Sequence, residues 1–92
     1  MIIRGSIGIV SQMRRAAVSI GANIAEGAAR QSRKEFMYFL SISQGSASEL
    51  DTLIEISKEV DIINIMNLEK LQENISKISK MLSGLLRSLK QK

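Results

Sequence analysis

The sequence predicts an all-α fold, an antiparallel up-and-down bundle of three long helices. The 92 residues contain no proline, and Ile, Leu, Ala, Ser, Lys and Glu dominate, a balance that favours helix. Apolar residues recur at every third or fourth position along three stretches. The connections between these stretches are short, so successive helices should run antiparallel. We expect one helical-bundle domain over residues 1–92, with helices near 8–29, 33–60 and 68–90.

The first predicted helix has one apolar stripe set among small residues. Ile9, Met13, Ile20 and Ile24 carry the stripe. The small residues on its sides are Ala16, Ala17, Gly21, Ala22, Ala25 and Gly27. Because small side chains let helix axes approach closely, we expect this helix to be the central one.

The second predicted helix begins with a capping box, in which Ser32 and Glu35 satisfy backbone donors of the first turn. Its apolar residues form two adjoining rows, which indicates a wide buried arc in contact with more than one neighbour. The rows are Phe36, Leu40, Ala47, Leu50, Ile54 and Phe39, Ile42, Leu53, Ile56, Val60. We interpret Gly45, which lies among serines, as a point of close packing against another helix.

The third predicted helix follows a turn at 61–66, with Asn67 as its N-cap. Its apolar residues alternate spacings of three and four, which is the heptad seam of left-handed helix packing. The seam is Leu68, Leu71, Ile75, Ile78, Leu82, Leu85 and Leu89. Together the three helices carry more apolar surface than they can cover among themselves. We therefore expect a fourth helix supplied by another chain, or self-association.

Composition argues against an enzyme. The chain has no histidine and no cysteine, which removes the commonest general base, the commonest metal ligand and all disulfides. We expect no catalytic, cofactor or metal site and no small-molecule substrate. No apolar run is long enough to span a bilayer, and residues 1–10 lack the layout of a secretory signal. A cytoplasmic protein without a membrane partner is the expectation.

Charge alternates along the chain in three segments. Residues 1–34 carry six basic side chains and one acid, residues 35–69 seven acids and one lysine, and residues 70–92 six basic side chains and one acid. The net charges are therefore +5, −6 and +5, which sum to +4. We favour pairing of the acidic segment with basic neighbours, within the bundle or between subunits. A basic face that remains available to a polyanion is the alternative.

Five segments resemble one known family. They are Ser11–Gly27 (SQMRRAAVSIGANIAEG), 32–36 (SRKEF), 39–42 (FLSI), 46–50 (SASEL) and 80–90 (KMLSGLLRSLK). With these segments the chain resembles, over almost its whole length, the four-helix-bundle family of 23S rRNA intervening-sequence proteins. The resemblance implies a bacterial antiparallel four-helix bundle that assembles into a homopentamer.

The same resemblance implies partners. One relative is the accessory protein of diversity-generating retroelements, which binds a reverse transcriptase and nucleic acid. The family pattern has a further helix before the first one predicted here. We therefore expect this chain to supply three long helices of a four-helix-bundle pattern, with the first family helix missing.

Two groups of residues are candidates for function. Basic residues that could contact nucleic acid or a partner are Arg14, Arg15, Arg30, Arg33 and Lys34. For Arg14 and Arg15 we favour ion pairs between subunits, with Glu49, Glu55 or Glu59, over phosphate contacts. A polar network between helices is predicted from Asn23, Glu26, Ser46 and Glu49, with a ligand or partner site as the alternative.

The aromatic residues lie together. Phe36 and Phe39 fall in the apolar rows and are predicted to pack in the core, whereas Tyr38 is expected to face outwards. Lys77, Lys80, Arg87 and Lys90 lie off the seam and are interpreted as a solvated basic stripe.

Taken together, the sequence predicts a non-enzymatic, homo-oligomeric interaction or scaffold module. Its expected partners are other copies of itself, with RNA or DNA, or a reverse transcriptase-like protein, as further candidates. The alternatives are a subunit that docks on another protein without a nucleic-acid role, or a truncated remnant of a longer gene.

Overall fold

Three long α-helices make up the described part of the chain. The computed structural model describes residues 2–59 and 65–91, and the side chains of 8–59 and 66–91. The helices are α1 (Ile2–Ala28), α2 (Arg33–Glu59) and α3 (Ile65–Lys90), and no strand occurs among these residues. The predicted all-α helical bundle is therefore confirmed.

Two helices begin earlier than the sequence predicted. Helix α1 begins at Ile2 rather than near residue 8, because glycine lowers helix propensity by only about 1 kcal/mol and no proline stops the helix. Helix α3 begins at Ile65. Asn67 therefore lies inside α3, and its prediction as an N-cap, which needs a non-helical backbone, is wrong. Residues 61–64 of the turn predicted at 61–66 lie outside the described residues, as does Val60, whereas residues 65–66 are helical, so the turn prediction is wrong there.

Helix α2 is the centre of the bundle, and the prediction that α1 is central is wrong. Helices α1 and α3 each pack against α2, whereas no Cα atom of α1 lies within 8 Å of a Cα atom of α3 in the described ranges. The small residues of α1 do permit close approach, but most of them lie on its exposed side. The described residues span 49 × 20 × 13 Å, so the three helices occupy three corners of a square.

Hydrogen bonds between side chains fix the antiparallel directions. Ser46 of α2 is 2.8 Å from the hydroxyl of Ser19 on α1, and Gln44 donates at 2.8 Å to Ser83 on α3. Later in α2, Ser57 contacts the sulfur of Met13 at 3.8 Å, nearer the start of α1. Earlier in α3, Gln72 donates to Asp51, later in α2, at 2.9 Å. Successive helices therefore run antiparallel, as short connections predict.

The core follows the predicted apolar positions of all three helices. Leu40, Ala47, Leu50 and Ile54 of α2 are at most 1% exposed. They pack with residues of α1 and α3 in two clusters, which include Met13, Ala16, Ile20, Leu68, Ile75, Leu82 and Leu86. Burial of these side chains is the main stabilising contribution, about 1.5–3 kcal/mol for each large one.

Helices α1 and α2 approach each other closely at Gly27. A Cβ atom placed there would lie 2.9 Å from Cβ of Phe39 and 3.0 Å from Cδ1 of Phe36. The predicted close packing at Gly45 is wrong, because an added Cβ there meets nothing within 4 Å. Gly45 lies on the exposed side of α2. The nearby Ser43 and Ser46 are instead buried and face α1.

The buried face of α3 departs from the predicted seam near its end. Leu86 is 8% exposed, whereas Leu85, which the heptad pattern placed in the seam, is 39% exposed. A straight helix of 3.6 residues per turn drifts by about 20° per heptad. After 18 residues, or five turns, the position that faces α2 like Leu68 is therefore Leu86.

Candidate functional site

An apolar groove runs along the bundle between α1 and α3, with α2 as its floor. Ala17, Gly21 and Ile24 line it from α1, and Leu40 contributes to the floor. Ile78, Met81 and Leu85 are among the residues that line it from α3. Its volume is about 780 Å³. The groove occupies the fourth corner of the square, where a fourth helix of a bundle would lie.

Large apolar side chains of the groove are exposed to water. Met81 is 72% exposed and Leu85 is 39% exposed. On the opposite wall Ala17 and Gly21 are exposed, and an added Cβ at Gly21 meets nothing within 4 Å. This wall is therefore low enough for another backbone to approach closely.

Each rim of the groove carries a basic residue. Arg14 lies one turn before Ala17 on α1, and Lys77 lies one turn before Met81 on α3, which places each beside the groove lining. Both are exposed, and within the described residues neither forms an ion pair. Arg15 is also exposed on α1. It points about 100° away from Arg14, so it faces away from the groove.

The outer face of α2, on the other side of the bundle, combines acids with one large apolar residue. Glu49, Thr52, Ile56 and Glu59 follow one another at helical spacings of three and four. All four are exposed, and Ile56 is 43% exposed. Neither acid pairs with a cation in the part of the chain that the structure describes.

Polar residues join α1 and α2 inside the bundle. Asn23 donates to the carbonyl oxygen of Ser19 at 2.8 Å and to its hydroxyl at 3.1 Å, and that hydroxyl meets Ser46. The buried hydroxyl of Ser43 donates to the carbonyl oxygen of Ile20 at 2.9 Å. Every described buried polar atom of a side chain has a partner, so these contacts stabilise the pairing of α1 with α2.

Glu49 lies outside this network, and Glu26 pairs with Arg30, one of the partners predicted for it, without joining the network between the helices. Glu26 is exposed and forms an ion pair with Arg30, one turn later in the same segment. Glu49 is exposed on the outer face of α2. The sequence pattern did not single out Ser43, whose role depends on how deeply α2 is buried.

Acids and amides gather where α2 ends and α3 begins. Gln72 donates to Asp51 at 2.9 Å and to Glu55 at 2.7 Å, and it accepts from Lys58. The hydrogen bond from Gln72, together with the positive charge of Lys58, lowers the pKa of Glu55 below its ordinary value. This exposed cluster joins α2 to α3, and Glu55 is thereby engaged within the chain.

The opposite end of the bundle is basic. Here α2 begins and α3 ends, and we call the group Arg30, Arg33, Lys34, Arg87 and Lys90 the basic end. Arg33, Lys34 and Lys90 line a depression of about 510 Å³, together with Met37 and Leu89. A second depression of about 400 Å³ is lined by Arg30, Lys34, Glu35, Tyr38 and Phe39. Lys34 belongs to both depressions, so they adjoin.

The aromatic residues beside the basic end are held by one another. Tyr38 is 62% exposed, and its ring meets that of Phe39 edge to face, with centroids 5.3 Å apart. The guanidinium of Arg30 lies 5.1 Å from the centroid of Phe39. Tyr38 faces outwards, as predicted. Phe36 is half-buried against the core cluster of Leu40, Leu82 and Leu86, whereas Phe39 is half-buried outside both core clusters, so its predicted place in the core is wrong.

Two features of other site classes are absent from the described residues. No group of three or more acidic residues is placed to hold a metal ion. No described helix is both long and apolar enough to cross a membrane.

Comparison with known proteins identifies a family. The family model described as 23S rRNA-intervening sequence protein matches residues 4–84. No curated protein matches the sequence.

Proposed function

Because the chain belongs to the family of 23S rRNA-intervening sequence proteins, we propose that it is a non-enzymatic scaffold of the cytoplasm that assembles from copies of itself. The absence of histidine and cysteine from the sequence supports a role without catalysis. The observation that carries the proposal is the groove between α1 and α3. Its exposed Met81 and Leu85 side chains stabilise the protein only when another surface covers them and removes them from water.

The occupant of the groove is the outer face of α2 of a second copy. Ile56 is an exposed apolar residue between two acids, Glu49 and Glu59, whereas the groove is apolar between two basic rims at Arg14 and Lys77. The outer face of α2 and the groove are therefore complementary in both apolar surface and charge. The acids pair with the rims while Ile56 enters beside the small residues of α1.

This contact is heterologous, because it joins two different surfaces. A two-fold contact of groove against groove would oppose basic rims of the same sign, which costs stability. Heterologous contacts close into rings when the rotation between subunits permits it. A ring agrees with the homopentamer that the family resemblance implies.

Charge reversal tests this assembly. We expect the wild-type chain to have a molar mass several times that of one chain in light scattering coupled to size exclusion. The double variant R14E/K77E and the double variant E49K/E59K should each dissociate, and a chain with all four changes should reassemble. K80E/E69K changes exposed charges of the same kinds on the side of α3 away from the groove and is the matched control, with assembly unchanged.

Three results would decide against the proposal. A wild-type chain that stays monomeric at all concentrations would refute self-assembly. A four-fold variant that stays dissociated would refute the pairing of groove and α2. If assembly formed only after a helical peptide of another protein was added, the occupant of the groove would be that peptide and not a second copy of the chain.

Binding of RNA or DNA is the second candidate function, and the basic end favours it. Arg33, Lys34 and Lys90 are exposed, and none of the three forms an ion pair among the described residues. Fluorescence anisotropy with structured RNA tests it. Affinity should fall steeply as salt rises, since bound phosphates release counterions. Affinity that is absent at low salt, or that does not change with salt, would refute this candidate.

A further inference from the structure

The basic residues at the start of α2 have no explanation in helix stability. A helix N-terminus carries partial positive charge, so cations are disfavoured there and favoured at a C-terminus. Arg87 and Lys90 in the last turn of α3 fit this rule. Arg33 and Lys34, in the first turn of α2, oppose it. Glu35 in the same turn supplies the charge that the terminus favours, and Arg33 and Lys34 outnumber it, so this turn has a net positive charge that is open to an anion.

The first depression of the basic end suits a phosphate group. Arg33 and Lys34 approach it from α2 and Lys90 from α3, while Met37 and Leu89 form apolar parts of its wall. A guanidinium presents paired donors that match phosphate oxygens, and each ammonium adds a point charge. Lys90 comes from a different helix, so the three cations surround the depression rather than follow one helix face.

The adjoining depression offers an aromatic surface. Tyr38 lies one turn after Lys34, which lines both depressions. The edge-to-face contact with Phe39, at an angle of 77° between ring planes, holds the tyrosine ring while 62% of the residue stays exposed. Exposed aromatic rings beside basic residues are the means by which proteins hold unpaired bases.

We propose that the basic end is a site for one nucleotide of single-stranded nucleic acid. Its phosphate lies among Arg33, Lys34 and Lys90, and its base stacks on Tyr38. This inference rests on the second candidate function and adds to it a strand state and an atomic location. A duplex is a poorer ligand, because its bases are stacked on one another and do not reach Tyr38. An acidic peptide would supply the charge but no base to stack.

The chain provides its own reporter for this site. Tyr38 is the only tyrosine, and the sequence contains no tryptophan. Intrinsic emission therefore comes from Tyr38 alone, and a base stacked on its ring should quench it. The probes are a short oligouridylate and the same strand paired with oligoadenylate, with free tyrosine amide as the control for light absorbed by the nucleic acid.

The expected result is saturable quenching by the single strand and little quenching by the duplex. Y38L should weaken binding, measured by anisotropy of a labelled strand, by about fivefold or more, whereas Y38F should retain it. K90A should also weaken binding, and should lower the slope of log affinity against log salt by about 0.7. K80A removes an exposed lysine of the same helix outside the depression and should change neither. Circular dichroism verifies that each variant is folded.

The outcomes separate the site from the function. Binding seen by anisotropy without quenching of Tyr38 emission would overturn this site and leave nucleic-acid binding intact. An equal loss of affinity in K90A and K80A would have the same meaning. Absence of binding by both readouts would overturn the site and the second candidate function together.

Discussion

Two glycines of the bundle should respond in opposite directions to the same substitution. In G27A the new Cβ would lie 2.9 Å from Cβ of Phe39, 3.0 Å from Cδ1 of Phe36 and 3.3 Å from the carbonyl oxygen of Phe36. Ordinary carbon contacts are about 3.5–4.0 Å, so α1 and α2 must move apart. In G45A the new Cβ meets nothing within 4 Å.

The magnitude follows from two contributions. Alanine gains about 1 kcal/mol over glycine in a helix interior. Gly45 lies in the middle of α2 and has this gain in full, whereas Gly27 lies one residue before the end of α1 and gains no more than that. Overpacking costs about 1–3 kcal/mol and applies to Gly27 alone. Of the atoms that the new Cβ meets there, the carbonyl oxygen of Phe36 and Cβ of Phe39 are fixed to the backbone and cannot rotate away, whereas the ring of Phe36 can. We therefore expect G45A to be more stable than wild type. The free energy of unfolding of G27A should be lower than that of G45A by about 1–3 kcal/mol, which is the cost of overpacking.

Urea unfolding followed by circular dichroism measures this difference. The variants are compared at one protein concentration, because assembly shifts apparent stability. For a chain of this size, each 1 kcal/mol of separation corresponds to about 4–8 °C in Tm. A midpoint for G27A equal to or above that of G45A would refute the close approach of α1 and α2 at Gly27.

Three further substitutions test the core, the helix start and the acidic cluster. I54A removes a side chain that is fully buried and should lower the free energy of unfolding by about 2–5 kcal/mol, measured by urea unfolding. S32A removes the hydroxyl that accepts from the backbone nitrogen of Glu35 at 3.1 Å; it should lower that free energy by about 1 kcal/mol, and an unchanged midpoint would show that water replaces the cap. The lowered pKa of Glu55 means that its contribution to stability is full above the unfolded pKa and is lost as pH falls through the folded pKa. In Q72A the main cause of the shift is gone, so carbon-13 NMR titration should find the pKa of Glu55 raised towards its ordinary value, and an unaltered titration would count against the hydrogen bond.

The sequence predicted where the helices lie better than it predicted which helices pack against each other. Period and composition are local properties, so three helices and most of their buried positions could be predicted from them. The family could be identified separately, from the resemblance of segments such as Ser11–Gly27. Which helix is central is a property of the whole bundle. The small residues of α1 signalled close approach, but their pattern does not state whether that approach is to α2 or to another chain.

The sites show the same division between local and global information. Arg33 and Lys34 could be singled out because they are adjacent in sequence, whereas Lys90 joins them only through the antiparallel pairing of α2 and α3. Glu26 and Glu49 were placed with Asn23 by their polarity alone, and the burial that separates them comes from packing. Gly45 and Gly27 have the same intrinsic preferences, and only the neighbouring rings distinguish them.

The separation of α1 from α3 also shapes how the chain folds. Among the described residues, every pair of Cα atoms within 8 Å that joins two helices belongs to helices that follow one another directly. Topologies with few contacts between distant parts of the sequence fold quickly. The hairpin of α1 and α2 can form without α3, because α1 packs directly on α2. Under native conditions α3 can therefore detach while the hairpin persists, and its backbone amides should exchange with deuterium sooner than those of α2.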